Sequence, residues 1–256
     1  MQCDVITLFP EMVQPVLDQS ILCRARKAGL LDARVHALRD FAQDKHHVTD
    51  DLPYGGGPGM VLKAAPILTA LEAVRSLRAA TRVILLSPQG AVFNQAMAKH
   101  FSEETRSLVF VCGHYEGVDA RVKEGVDMEE VSIGDYILTG GELAALAIID
   151  AATRLIPGVL GDPASVEEES FSSHLLEYPH YTRPAVLKGM PVPDVLTSGN
   201  HQAIRAWRRE QAILNTFQKR PDLLAQAALT DPERNWVHQQ RVTLSQERSR
   251  RKENGT

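Results

Sequence analysis

Cysteine is scarce in this chain. The 256 residues include three, Cys3, Cys23 and Cys112. They are odd in number and show no CxxC spacing, which excludes a disulfide scaffold. They also fall short of the roughly four clustered ligands that a structural zinc site needs. Free thiols suit a reducing cytosol. Long apolar runs are missing as well. The best stretch, Leu143 to Ala152, is interrupted at Asp150 and falls short of the ~18 residues of a membrane span. The opening MQCDVITLFPEM has an acid at Asp4 and no basic region before an apolar core, so it does not read as a signal peptide. Internal repeats and low-complexity tracts are absent. A strong net charge is absent too, since 28 basic residues face 32 acidic ones for a net charge of −4. Taken whole, that balance gives no hint of a nucleic-acid partner. With 44% hydrophobic and 23% charged residues, the composition is that of a soluble globular protein, not a disordered or collagen-like one. The length allows one large domain or two ordinary ones. The expectation is a soluble cytoplasmic protein with no membrane contact.

The charge is unevenly spread. Residues 1–182 carry 15 basic and 25 acidic side chains, and residues 183–256 carry 13 and 7. This asymmetry suggests two modules, one with a basic face, although a solvated helical surface would look the same. In the first part β-rich runs alternate with helical stretches. CDVITLF (3–9), ARVHAL (33–38), RVILLS (82–87), LVFVCG (108–113) and MEEVSIG (128–134) read as strands. Pro10 to about Gly29, Ala64 to Ala79, Gln95 to His100 and Glu142 to Leu155 read as helices. The nearly continuous apolar runs at 82–87 and 108–113 predict strands covered on both faces, and the alternation predicts an α/β fold with a parallel sheet. From Ile156 to about Pro193 the prolines and glycines leave no room for a long element, and the segment reads as a linker. The segment HQAIRAWRREQAILNTFQKR (201–220) is a strong amphipathic helix. Its Ile204, Trp207, Ile213, Leu214 and Phe217 are expected to face a core, with Arg205, Arg208 and Arg209 on the other side.

Chemistry is suggested by four glycine-bearing turns: PYGGGPGM (53–60), SPQG (87–90), CGHYEGVD (112–119) and SIGDYILTGGE (132–142). The last three are placed at the carboxyl ends of strands, where α/β sheets bind ligands. Neither GxGxxG nor GK[ST] is present, which removes the common phosphate-binding motifs. Any one such turn is most simply plain turn chemistry; three on adjacent strands point further.

These motifs resemble those of the bacterial tRNA (guanine-N1)-methyltransferases, members of the trefoil-knot, or SPOUT, class. The resemblance rests on ITLFPEM (6–12), DLPYGGGPGMVL (51–62), LSPQG (86–90), CGHYEGVDARV (112–122), SIGDYILTGGELAAL (132–146), RLIPGVLG (154–161), EESF (168–171), YPHYTRPAVLKG (178–189), SGNHQAIRAWRREQ (198–211) and RPDLL (220–224). It implies an α/β parallel sheet with a C-terminal trefoil knot in residues 1–160, which binds S-adenosylmethionine. An interdomain linker at 161–177, a helical tRNA-binding domain at 178–246 and a frayed tail at 247–256 would follow. The cofactor contacts would come from Leu86, Ser87, Pro88, Gly113, Tyr115, Glu116, Gly117, Ile133, Gly134, Asp135, Tyr136, Ile137, Leu138, Gly140 and Gly141. For Ile133, Ile137 and Leu138, core packing is the plain alternative.

Methylating guanine N1 requires removal of its proton by a base and stabilisation of charge shifting to O6. A carboxylate and an arginine form the minimal set. The resemblance assigns these roles to Glu169 and Arg154, with Glu169 standing where the family commonly has aspartate and Glu168 as an adjacent competitor. A solvated charge cluster is the plain alternative for the run of acids at 167–169. Substrate contacts are expected from Asp50, Gly59, Ser165, His180, Tyr181, Arg183, Ser198, Arg205 and Arg208. Lys188, Arg209, Lys219 and Arg220 join them as phosphate contacts. For Trp207, core packing is preferred over stacking on a base. The resemblance also implies a homodimer with a composite active site. No dedicated metal cage is visible, and magnesium stays an open alternative. The rivals are a related knotted methyltransferase acting on ribose or ribosomal RNA, and a non-catalytic RNA-binding module.

Overall fold

A computed structural model describes residues 1–161 and 169–253, with side chains through Thr243. The chain divides into two compact units, Met1–Pro163 and Ala164–Thr256. The first is an α/β unit. Its central sheet contains β1 (Gln2–Thr7), β2 (Asp32–Ala37), β5 (Thr81–Val92), β6 (Ser107–Cys112) and β7 (Glu129–Ser132). The strand order is β2-β1-β6-β5-β7 and every pairing is parallel. A separate two-stranded ribbon, β3 (Asp50–Asp51) with β4 (Val61–Leu62), closes the glycine-rich loop between them.

Two-residue periodicity explains the apolar runs. Successive side chains of a strand point to opposite faces. Accordingly Ile84, Leu86, Leu108, Phe110 and Cys112 enter one core, while Val83, Leu85, Val109 and Val111 enter the other. Helices α1 (Pro10–Leu17), α2 (Ser20–Lys27), α4 (Gln95–Ser102) and α6 (Glu142–Thr153) supply the first core. Helices α3 (Ala64–Leu77) and α5 (Arg121–Gly125) supply the second. A sheet covered on both sides must be apolar on both sides, as residues 82–87 and 108–113 are.

One expected strand end is moved by the structure. SPQG (87–90) lies inside β5, which continues to Val92. Pairing with β7 is interrupted there, so that Leu86 and Ala91 both face Val131. Pro88 has no N–H to give a ladder, so the chain bulges between two paired stretches instead of turning away.

The second unit is helical, with a long helix at His201–Lys219 and another at Asp231–Glu253. Two-residue strands β8 (Val186–Leu187) and β9 (Met190–Pro191) form a small hairpin in the proline-rich segment. The core contains Leu175, Ala212, Ile213, Leu224, Leu229 and Val237, with Phe217 and Trp236 packed against it. The long helix therefore buries its carboxyl half. Ile204, Trp207 and Leu214 are only half-buried and lie outside this cluster. Leu175 falls within the stretch read as linker, yet it belongs to this core. The Leu176 amide donates to Thr216 Oγ1 at 2.8 Å, and Asn215 Nδ2 donates to the Glu177 carbonyl at 2.8 Å. The backbone stays helical to Glu253, where a frayed tail from 247 is the sequence expectation; Glu, Arg, Gln and Lys are good helix formers.

Candidate functional site

A cavity of about 560 Å³ opens in the first unit at the β5 bulge and the carboxyl ends of β6 and β7. Three segments build it. The β5 bulge contributes Leu86, Ser87 and Pro88. The turn after β6 contributes Gly113, Tyr115, Glu116 and Gly117. Tyr115 adopts φ +59°, a left-handed conformation that costs about 1–2 kcal/mol for a residue with a Cβ. The turn after β7 contributes Ile133, Gly134, Tyr136, Ile137, Leu138, Gly140 and Gly141. It is closed by Ser132 Oγ, which accepts from the Gly134 amide at 3.2 Å. The second and third segments are joined by the Gly141 amide donating to the Gly113 carbonyl at 2.9 Å.

Of the residues expected here, only Asp135 is not on the wall; it is exposed in the turn between Gly134 and Tyr136. Ile137 is 80% exposed and Leu138 37%, so core packing does not account for them. Ile133 does pack against the core. The sequence reading missed Lys123 and Glu130, which also line the cavity and pair at 2.9 Å. The Lys123 ammonium, acting against partial burial, holds the Glu130 carboxyl below its usual range. The two come from separate elements, and no local motif could announce them. His114 was missed too, although it sits inside a quoted motif.

The other expected residues are distributed as follows. Asp50 lies in β3, paired with Leu62 of β4. The Glu116 amide donates to the Met60 carbonyl at 3.0 Å, and the Leu62 amide to the Gly117 carbonyl at 2.9 Å. The glycine-rich loop is thereby tied to the cavity wall. At Gly59, with φ +78°, a side chain would collide with that of Glu116. Arg154 is half-buried at the carboxyl cap of α6.

In the second unit Glu169 is half-buried, and its carbonyl accepts from Ser172 Oγ at 2.6 Å. Glu177 and Ser170 bond reciprocally across the same turn, at 3.0 and 3.1 Å. His180 pairs with Glu177 at 3.0 Å and lies 4.8 Å from the Tyr178 ring, over which Arg208 is placed at 4.8 Å. Tyr181 sits 6.4 Å from Trp207; thus Trp207 meets an exposed aromatic, not the core. Ser198 caps the turn before the long helix, and Arg183 and Arg205 are exposed. Ser165 and Glu168 lie outside the described residues.

Two of the arginines expected to contact phosphates have partners within the chain. Arg209 pairs with Glu233 at 2.9 Å and also donates to the Ala228 carbonyl, while Arg220 pairs with Asp222 at 2.6 Å. Helical periodicity places Arg209 on a polar face, but the following helix brings Glu233 to it.

The cavity suits a donor such as S-adenosylmethionine. Its volume is in the ordinary ligand range of about 300–1,000 Å³. Backbone groups of the glycine turns and apolar side chains form its walls, together with Glu116 and the Lys123–Glu130 ion pair. Among the described residues no group of three His, Cys, Asp or Glu is placed to hold a metal ion, so magnesium gains no support. No described helix is long and apolar enough to cross a membrane.

Known proteins are similar to this chain over most of its length. The family model described as tRNA (Guanine-1)-methyltransferase TrmD matches residues 1–226. A tRNA (guanine-N(1)-)-methyltransferase of Carboxydothermus hydrogenoformans is 54% identical over 234 residues, covering 91% of each chain. Proteins of the same name from Geobacillus kaustophilus and Listeria monocytogenes are 52% and 49% identical. Each covers 93% of this chain and 97% of its own length.

Proposed function

The chain belongs to the tRNA (guanine-1)-methyltransferase family, and on that premise we propose that it transfers a methyl group from S-adenosylmethionine to N1 of the guanosine next to the anticodon of tRNA. The observation that carries the reading is the cavity: glycine-rich segments from three separate parts of the sequence converge on one site of suitable size and polarity.

The donor, when bound, supplies a methyl group made electrophilic by a sulfonium. The turns at 113–117 and 133–141 would hold it through backbone groups, with Leu86, Ile133, Ile137 and Leu138 as apolar walls. Threading of these segments as a trefoil knot is part of the proposal. Glu169 would take the N1 proton and Arg154 would stabilise charge at O6. In-line transfer needs donor and acceptor aligned. Asp50 and Gly59, on the loop tied to the cavity wall, would help orient the guanine. His180, Tyr181, Arg183, Ser198, Arg205 and Arg208 would meet the tRNA, the cations through phosphates and the rings by stacking. A homodimer with composite sites, acting in the cytoplasm, completes the reading.

Glu169→Gln tests the chemistry. Turnover should fall by about 10²–10⁴-fold, the range for loss of a general base, while donor binding is retained. Activity within a few-fold of wild type would move the base role elsewhere, to Glu168 first.

A further inference from the structure

Behind the cavity lies a buried carboxylate that the proposed chemistry does not use. Glu142 is 1% exposed and does not line the cavity. It is the first residue of α6, directly after Gly140 and Gly141. Its Oε1 accepts from Thr7 Oγ1 at 2.6 Å, and Thr7 is fully buried at the end of β1. The same hydroxyl accepts from the Phe9 amide at 2.9 Å. Among the described residues no cation pairs with Glu142. A buried carboxylate without a cation is costly; here the hydroxyl and the partial positive charge of the helix start offset part of that cost.

The environment of Gly140 suggests what the carboxylate does. A side chain at Gly140 would strike Glu142 Oε2 and would come within 2.6 Å of His114 Nδ1. The carboxylate and the imidazole therefore flank one backbone position. His114 forms an isolated bridge with Gly140, lines the cavity, and packs its ring 5.0 Å from Phe9 and 4.7 Å from Tyr115. Its Nδ1 is buried and has no hydrogen-bond partner among the described residues. Thr7 thus reaches two cavity segments, through Glu142 to Gly140 and through Phe9 to His114.

We infer that Glu142, oriented by Thr7, is a positioning residue: it holds the Gly140–Gly141 turn against the Gly113–His114 turn and so sets the shape of the donor cavity. The inference rests on the reading of that cavity as the donor site. Packing alone does not require the pair, because replacing both partners of a buried hydrogen bond by apolar groups of similar shape is often nearly neutral for stability.

The test uses the full-length protein. Affinity for S-adenosylmethionine is measured by calorimetry, and melting temperature is recorded in parallel, for wild type, Thr7→Val, Thr7→Ser and the double variant Thr7→Val/Glu142→Leu. The double variant, which also leaves the Phe9 amide without its Thr7 acceptor, should melt only a few degrees below wild type yet bind the donor about tenfold more weakly, as loss of one or two ordering contacts implies. Thr7→Ser, which keeps the hydroxyl, should bind within twofold of wild type. In turnover assays the KM for the donor should rise while the KM for tRNA stays unchanged. If wild type binds and both Thr7→Val and the double variant bind within twofold of it, the inference fails while the donor site stands. If wild type itself shows no saturable binding, the reading of the cavity fails and takes the inference with it. Should the double variant not fold, Thr7→Val against Thr7→Ser decides the same question.

Discussion

Asp4 illustrates how much a single residue can conceal. In the sequence it is an acid near the start, informative only against a signal peptide. In the structure it is fully buried and bonds to His36 Nε2 at 2.7 Å, Arg78 Nε at 2.8 Å and Ser107 Oγ at 2.8 Å. Burial alone would raise its pKa, but the hydrogen bonds from His36, Arg78 and Ser107 outweigh it and hold the carboxyl below its usual range. Asp4→Asn leaves the buried Arg78 without its full counter-charge and should cost about 3–5 kcal/mol, read from the urea midpoint. A cost under 1 kcal/mol would mean the cluster contributes little to stability. Arg106 acts likewise on Glu104, with help from Arg82, and brings that carboxyl down to about 2. Groups with depressed carboxyl pKa values stabilise fully above their unfolded pKa, near ~4, and lose that contribution as pH falls toward the folded value. The urea midpoint should thus be flat from pH 6 to pH 5 and decline between about pH 4.5 and pH 2. A midpoint that rises on acidification would contradict this.

Elements were legible where periodicity was strong. The nearly continuous apolar run at 108–113 announced a strand covered on both faces, and the six residues of β6, Ser107–Cys112, are all buried. Strand order was not legible, since the β2-β1-β6-β5-β7 arrangement depends on contacts far apart in sequence. The β5 bulge was hidden for a related reason: Pro88 reads as a strand terminator unless the partner strand is known to resume pairing beyond it. In the long helix of the second unit, periodicity found the apolar stripe but not how much of it would be covered. That depended on residues 175–177, which composition assigns to a linker. Their attachment is testable. Leu175→Ala should destabilise the second unit by about 2–5 kcal/mol, and Thr216→Val, which removes an acceptor for the Leu176 amide, by about 1–3 kcal/mol. Both should appear in the melting of residues 164–256. If neither variant changes that transition, residues 175–177 do not belong to the folded unit.

At the scale of the whole molecule, the net charge of −4 hides an acidic first part and a basic last one. The chain divides into units at residues 163 and 164, near where the sequence turns proline-rich. The glycine-bearing turns of the cavity were legible because such turns keep a local signature in the sequence, whereas Lys123 and Glu130, which come from separate elements, were not. The Arg209–Glu233 ion pair was not legible, because a charge on a helix face does not say whether a neighbouring element will neutralise it. N1 methylation demands a base and a cation, and the resemblance of the motifs is what proposes Glu169 and Arg154 for those roles. The most direct measurement of the central claim is methyl transfer from labelled S-adenosylmethionine to two tRNA transcripts that differ only in carrying G or A next to the anticodon, with the modified atom identified after digestion. The account predicts label on the G transcript alone, at N1 of that guanosine. Equal labelling of both transcripts, labelling of neither, or label on ribose would contradict it.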